Sequence, residues 1–465
     1  MARIPFAVNS YRHRDLPVSA QRVINWMAEQ EPADARSKVI LIPTPGLQPF
    51  ATLATGPTRG MRVMGSYLYV VAGTGVYRVD VAGAVLLLGN IADGGPVSMD
   101  HNGVQLAIVV PETQQAWVAT TTTLTQITDP DFGGAVAVTV LDGFGIFVRP
   151  NSTQFFISAL NDLTNYDALD YASAEGDPDN LVTCLRVGRE LWLFGERTTE
   201  VWANVGAADF PFQRISGAFV ERGIAARFSC GQFLAVPFWL GENRVVYQAQ
   251  GVQPVRISTH AIEQEIAGYT VVSDARCSVY EQEGHTFYCL TFPTEGATWV
   301  YDRDTQVWHE RESEGYDGWR ATNCTAYAGA VIAGDTDNGN LYVVDPTAND
   351  EDGNQIIRVA TGTEIVSSGK RIRNTRLTLD ITTGVGLTSG QGSDPQIWLS
   401  WSNDGGRTFG NERWRSLGAL GEYTARVRFS RLGESRQRVY RLQISDPVRC
   451  TIMAMDLEAQ PEGAV

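Results

Sequence analysis

The sequence predicts an all-β protein: a β-propeller of about seven blades over residues 57–366, an extended N-terminal arm over 1–56 and a C-terminal β-sandwich over 367–465. Three observations lead there. A two-strand pattern recurs at nearly even spacing through the middle of the chain. The first 56 residues carry six prolines and little periodicity. The last segment alternates apolar and polar residues with period two.

The repeat is a turn, an apolar strand and a short hairpin into a second strand. Its first strands are Tyr67–Val71, Val104–Val109, Gly145–Val148, Leu191–Phe194, Phe233–Val236, Thr286–Leu290 and Ala330–Ala333. Each is followed by a partner such as Val76–Val79, Thr199–Trp202 or Asn340–Val343. The starts lie 37 to 53 residues apart, around the roughly 40–50 residues of one four-stranded blade. Forty-six glycines supply the turns that such a chain needs. Short strands at regular spacing also describe two packed sandwiches, and the even spacing over the whole middle segment favours the ring.

Pro5, Pro17, Pro32, Pro43, Pro45 and Pro49 fix φ and remove ladder donors, so the first segment reads as an arm and not a blade. Its apolar residues Phe6, Tyr11, Leu16, Val23, Ile24 and Trp26 need a surface, on the same chain or on a neighbour. Ala20–Trp26 is a candidate helix, and Ile262 and Ile266 place another over His260–Ala267. Asp345–Asn354 is acidic and reads as a loop. Beyond it, Arg376–Ile381, Gln396–Trp401, Ala425–Phe429 and Val439–Ile444 read as half-buried strands with arginine on the wet face.

The chain has 465 residues and a formal charge of −15, unevenly divided. Residues 1–56 carry +2, residues 57–366 carry −21 and residues 367–465 carry +4. An acidic body argues against ordinary nucleic-acid binding, which needs basic surface to release counterions. It is compatible with a wall past which a polyanion slides. The start Met1-Ala2-Arg3-Ile4-Pro5 has no signal-peptide apolar region and no apolar run reaches the length of a membrane span, so synthesis in a cytoplasm without membrane insertion is expected. Cys184, Cys230, Cys277, Cys289, Cys324 and Cys450 form no C-x-x-C pair and read as buried free thiols.

Motifs that carry chemistry are scarce. Ser402-Asn403-Asp404-Gly405-Gly406-Arg407-Thr408-Phe409 matches the S-x-D-x-G-x-T-F pattern called an Asp box. Its residues Ser402, Asp404, Gly406, Thr408 and Phe409 are explained as a structural turn: the carboxylate accepts turn N–H groups, glycine supplies positive φ and the aromatic packs beneath. Asp302, Asp304, Glu310 and Glu312 are the densest carboxylates, and a glycosidase needs two; the hairpin pattern reads as a solvated turn. His13, His101, His260, His285 and His309 share no metal-ligand spacing. Asp335-Thr336-Asp337-Asn338-Gly339 resembles the start of a calcium loop, but Pro346 stands where the bidentate glutamate belongs, and an Asn-Gly hairpin fits better. No metal, cofactor or catalytic residue is assigned.

Asn9-Ser10-Tyr11, Ser19–Trp26, Pro43–Phe50 and Arg59-Gly60-Met61, leading into Leu68–Tyr77, resemble in that order the opening of tail proteins of short-tailed bacteriophages. So does Trp401–Phe409 through Trp414 and Leu417-Gly418 near the other end. The resemblance is to the packaged DNA stabilisation family of tail hub or nozzle proteins. It implies a structural virion protein of the tail with no catalytic residues. It implies a homo-oligomeric ring, a hexamer in the family, below the portal and head-to-tail adaptor. Such a ring holds genomic DNA in its channel without sequence specificity, conducts it at ejection, and offers surfaces to a tail needle, spikes or fibres. The alternatives are a sialidase-like tail-associated glycan hydrolase and a glycan- or protein-binding propeller.

Overall fold

The computed structural model describes residues 2–461 apart from Pro17, Ala33, Arg36 and Ser368. Met1 and Pro17, named in the sequence expectations, therefore lie outside the described residues. The body consists of seven antiparallel four-stranded units. The first runs Thr58–Met64, Tyr67–Ala72, Gly75–Val79 and Val85–Asn90. The second to fifth open with Ser98–His101, Ala137–Leu141, Leu181–Val187 and Gly231–Phe233. The sixth comprises Arg276–Gln282, His285–Phe292, Ala297–Asp302 and Val307–Glu310. The seventh takes Ala321–Tyr327, Ala330–Asp335 and Asn340–Asp345 from its own segment and its fourth strand, Gly46–Thr52, from the N-terminal arm.

The repeated apolar runs seen in the sequence are mostly the second strands of these units. Leu106–Val110, for example, is buried at every position. Both faces of such a strand meet neighbouring units, which explains a continuous apolar run in place of alternation. Seven separate apolar cores result, one between each pair of adjacent units. The last joins Tyr327, Ile332 and Leu341 of the seventh unit to Leu68, Val70 and Tyr77 of the first, and so closes the ring. The fifth unit corrects one expectation. Phe233–Val236 is not a strand but a turn, with Leu234 at φ 45° and Ala235 at φ 60°. The buried strand is Val236–Leu240, where Phe238, Trp239 and Leu240 have no exposed surface.

The arm also departs from the reading as an arm and not a blade, since its Gly46–Thr52 is a blade strand. Ala20–Trp26 is not helical: it belongs to strands Ala20–Ile24 and Trp26–Gln30, separated by Asn25 at φ 56°. The β-branched pair Val23 and Ile24 is buried against other strands, which outweighs a short helical pattern. The helix expected near residue 260 is present as His260–Gly268, capped by Thr259, with Ile262 and Ile266 buried. The acidic stretch 345–354 is not all solvated loop. Asp350–Glu351 and Asn354–Gln355 form a small hairpin, and Glu351 is buried.

The C-terminal region is a sandwich whose strands include Ile372–Ile381, Gln396–Ser402, Val427–Ser435, Gln437–Ile444 and Ile452–Pro461. Strand pairing does not stop at residues 56 and 367. Ala2–Ile4 pairs with Ile452–Pro461, and Val39–Pro43 touches the same strand at Leu41. The sandwich core includes Ile4, Ala7, Val23, Trp26 and Leu41 of the arm. One sheet runs from the sixth unit through Ala20–Ile24 and Arg358–Thr361 into the sandwich strands.

Candidate functional site at the arm clasp and the propeller axis

Two places concentrate polar side chains: the seam where the arm crosses the sixth unit, and the axis around which the first strands gather. At the seam, Ala20–Ile24 meets the outer strand Val307–Glu310 in parallel at Ile24 and pairs with Arg358–Thr361 on its other side. Ser10 N donates to Trp308 O (2.8 Å), and Trp308 N donates to Asn9 Oδ1 (2.9 Å). Asn25 is 1% exposed, and its groups are fully used. Its N–H donates to Glu310 O, its carboxamide nitrogen to Glu312 O and Ile357 O, and its side-chain oxygen accepts from Glu312 N. A buried amide satisfied on every side is a register pin, because any slip orphans several groups at once.

Beside it, Arg22 grips the carboxylate of Glu310 through Nε (3.2 and 3.1 Å) and Nη2, and reaches Glu312 at 3.0 Å. Glu310 also accepts from Ser10 Oγ (2.9 Å). Burial alone would lower the Arg22 guanidinium; the two carboxylates overcome this and raise it. Burial, with Glu310 nearby, pushes the Glu312 carboxyl up against the pull of Arg22.

The four acids expected on a solvated turn are thus held by partners. Asp302 has no exposed surface and binds His285 Nδ1 (2.8 Å) and Thr305 Oγ1 (2.6 Å). Asp304 accepts from Thr286 N (2.7 Å). Asp335, the first residue of the calcium-like stretch, is buried against Arg320 (2.7 Å) and Tyr342 OH (2.9 Å). Among the described residues no group of three His, Cys, Asp or Glu side chains is arranged to hold a metal ion. No helix among them is long and apolar enough to cross a membrane.

At the axis, first strands of adjacent units are joined by side chains. Asp100 accepts from Arg62 (2.6 Å), from Thr139 Oγ1 (3.1 Å) and from Val140 N (2.7 Å), linking three units. Ser278 Oγ accepts from Cys324 N (3.0 Å). Two adjoining cavities of about 190 and 260 Å3 remain, both lined by Met61, Arg62, Asp100, Cys230 and Cys277. Cys184, Cys277 and Cys324 stand on the first strands of the fourth, sixth and seventh units, and Cys230 just before that of the fifth. Burial pushes the Cys230 and Cys324 thiols up to about 12, which leaves them unreactive. All six cysteines are free. The four axial cysteines, at 184, 230, 277 and 324, recur at intervals of 46 to 47 residues, one per unit.

The Asp-box residues lie after the strand Gln396–Ser402. Asp404 accepts from Arg407 N (3.0 Å), Thr408 N (3.0 Å) and Thr408 Oγ1 (2.6 Å), while Ser402 Oγ accepts from Gly406 N (2.9 Å). Hydrogen bonds from Ser402 and Thr408 hold the Asp404 carboxyl well below the usual range. The Arg441 guanidinium covers the Phe409 ring at 4.1 Å. A Cβ on Gly406 would stand 2.4 Å from Ala20 Cβ, so this turn rests directly on the arm.

No curated protein sequence matches the chain at a significant level. Among solved structures, the chain is similar to the computationally designed protein Ika8, at 12% identity over 70% of this chain and 100% of that one, with a TM-score of 0.39. It is similar to the N-terminal domain of Nup159 at 8% identity, over 70% and 99%, with a TM-score of 0.42. It is also similar to PorZ of Porphyromonas gingivalis at 11% identity, over 80% and 46%, with a TM-score of 0.38. A family model described as the β-propeller of bacteriophage P22 Gp10 matches residues 3–349, and one described as the β-sandwich of the same protein matches residues 359–460. The first of these includes the arm with the propeller, as the strand pairing does. With both models matched in order along nearly the whole chain, the protein belongs to the family of bacteriophage P22 Gp10, the tail hub and packaged-DNA stabilisation family, and is a structural protein of the phage tail.

Proposed function

We propose that the chain is a subunit of a ring, six copies as in the family resemblance, that sits below the portal and adaptor. The ring retains packaged DNA and conducts it at ejection. The observation that carries this reading is the filled propeller axis. Its cavities, of about 190 and 260 Å3, are too small to hold a stretch of double helix. A DNA path through this protein therefore runs between copies, not through one. The acidity of residues 57–366 suits the wall of such a path, because it offers phosphates few sites to bind. DNA contact is then independent of sequence, and the outer surfaces remain for a needle, spikes or fibres.

The same reading makes the chain a scaffold and not an enzyme. Asp302 and Glu310 are occupied by His285 and by Arg22 with Ser10. We read Ser402, Asp404, Gly406, Thr408 and Phe409 as a structural turn that braces the arm. We likewise read the chain as a propeller body and a sandwich, tied together by the arm. Electron microscopy of particles carrying this protein tests the proposal. Several copies around an open central channel are expected; one copy per particle, or none, overturns it.

A further inference from the structure

The sandwich carries a depression of about 780 Å3 on its outer face, where the strand Ile372–Ile381 lies beside Val427–Ser435 and Ile452–Pro461. It forms because the ladder is broken on both sides: pairing skips Thr375 between Asn374 and Arg376, and skips Arg431 and Leu432 between Ser430 and Gly433. Arg431 sits there at φ 59°, a backbone conformation that disfavours an L side chain. Arg376 is paired with Glu458, and Glu434 lies 4.0 Å from Arg371. Arg373 and Arg431 form no ion pair among the described residues. The depression is therefore lined by three guanidinium groups against the carboxylates of Glu434 and Glu458, and two of those guanidinium groups are uncommitted.

A second irregularity, on the propeller, has the opposite sign. The outer strand of the third unit, Asp162–Ser173, pairs through Tyr166 and resumes at Tyr171, so Asp167-Ala168-Leu169-Asp170 stands out of the ladder. Leu169 is 81% exposed at its tip. Asp167 accepts from Leu169 N (2.9 Å) and so stiffens the projection. Burial and the charge of Asp167 push the Asp170 carboxyl up, a repulsion that a guanidinium would relieve. A single exposed leucine is ordinary on a protein surface; what marks this one is its place at the tip of a projection with a carboxylate on each side.

We propose that the projection Asp167–Asp170 of one copy seats in the sandwich hollow of the next, with Leu169 inserted and Asp167 and Asp170 facing Arg373 and Arg431. The occupant is a second copy of this chain because the charges that complement the hollow lie on the chain itself: residues 57–366 carry −21 and residues 367–465 carry +4. The two surfaces differ, so the contact is head-to-tail, the type from which a ring is built when its rotation closes. This inference rests on the ring reading above and supplies its contact.

The test places Leu169→Cys and Thr375→Cys in one chain, since Thr375 is exposed within the hollow. Assembled particles are oxidised and the protein is separated under non-reducing conditions. A ladder of linked copies is expected from the double variant and from neither single one. A ring seen by microscopy without a ladder overturns this contact and leaves the ring standing; a single copy per particle overturns both. Charge reversal gives an independent measurement. Arg373→Glu with Arg431→Glu should lower incorporation into particles at least about tenfold, and adding Asp167→Arg with Asp170→Arg should restore it. Unchanged incorporation overturns the proposal; so does a defect in DNA retention alone, which assigns the hollow to nucleic acid.

Discussion

The sixth and seventh units are neighbours with the same four-strand plan, and they are completed in opposite ways. The sixth is built from one continuous segment, Arg276 to Glu310, and its outer edge is then extended by the arm into the sandwich. The seventh has only three strands in its own segment and is completed by Gly46–Thr52, almost 290 residues earlier in the chain. In one unit the arm splices two bodies; in the other it closes the ring. Loop entropy grows only slowly with length, so such a closure costs little stability for its reach. It does delay folding until both ends of the segment exist.

The largest effect that can break this contrast is removal of the closing strand. A chain starting at residue 54 leaves the Asn340–Asp345 edge unpaired and exposes Leu341 and Tyr342, both buried by the closed unit. It should show no cooperative melt and should aggregate, as open edges do. A chain starting at residue 31 keeps Gly46–Thr52 and should retain a folded propeller while losing the splice. Circular dichroism melting and size-exclusion chromatography separate the two. A cooperative melt in the shorter chain would show that the seventh unit closes without the arm. The next effect is at the splice: Glu310→Gln removes the charge that Arg22 holds while keeping the shape. A loss of about 1–3 kcal/mol in denaturant unfolding is expected, the scale of a charged hydrogen bond lost from a mostly buried site. Combination with Arg22→Met should recover part of it.

Much of this fold was legible because propeller strands are local. Leu106–Val110 and Leu191–Phe194 announce themselves as apolar runs, and the sandwich strands announce themselves by alternation. What the sequence hid is non-local. Nothing in Gly46-Leu47-Gln48-Pro49 says that it pairs with Asn340–Asp345; the prolines suggest an arm and not a blade strand, yet Pro49 pairs with Tyr342, two residues beyond Leu47, where the strand's other edge meets Glu351. The motif residues that carry the family resemblance, Asn9, Ser10 and Asn25, turn out to be the ones that clasp the sixth unit. Asp302 and Glu310 looked solvated because their partners, His285 and Arg22, lie 17 and 288 residues away. The axial thiols had a visible period, but one position per unit is too sparse to show without the strands.

Acid should sharpen the contrast through His309, on the outer strand of the sixth unit. Burial and the nearby Arg311 push this imidazole down to about 3 from its ordinary 6.5. Between those values the unfolded chain binds a proton that the folded chain refuses, so stability falls as pH drops below 6.5. The loss should reach about 2 kcal/mol at pH 5 from this group. His285 works in the other direction: its hydrogen bond to Asp302 raises it, so its contribution is full below 6.5 and fades as pH rises through its folded value. His309→Phe should therefore flatten the acid limb of a stability–pH profile and leave the alkaline side alone. An unchanged acid limb would assign the acid sensitivity to another group.

The most local expected effect lies where the Asp-box turn touches the arm. Gly406 has φ 92°, so any side chain is strained there by about 1–3 kcal/mol, and a Cβ would also press on Ala20 at 2.4 Å. Gly406→Ala should thus loosen two things, the turn and the splice, whereas Asp404→Asn weakens the turn alone by removing the charge that accepts from Arg407, Thr408 and Ser402. Because the Asp404 carboxyl is depressed, its contribution is present above the ordinary carboxylate range and disappears only as pH falls through its lower folded value. Hydrogen exchange at Ala20–Ile24 reads the difference. Gly406→Ala should speed exchange along that strand; Asp404→Asn should speed it only within residues 403–408. If both variants release the arm equally, the turn and the splice are one cooperative element.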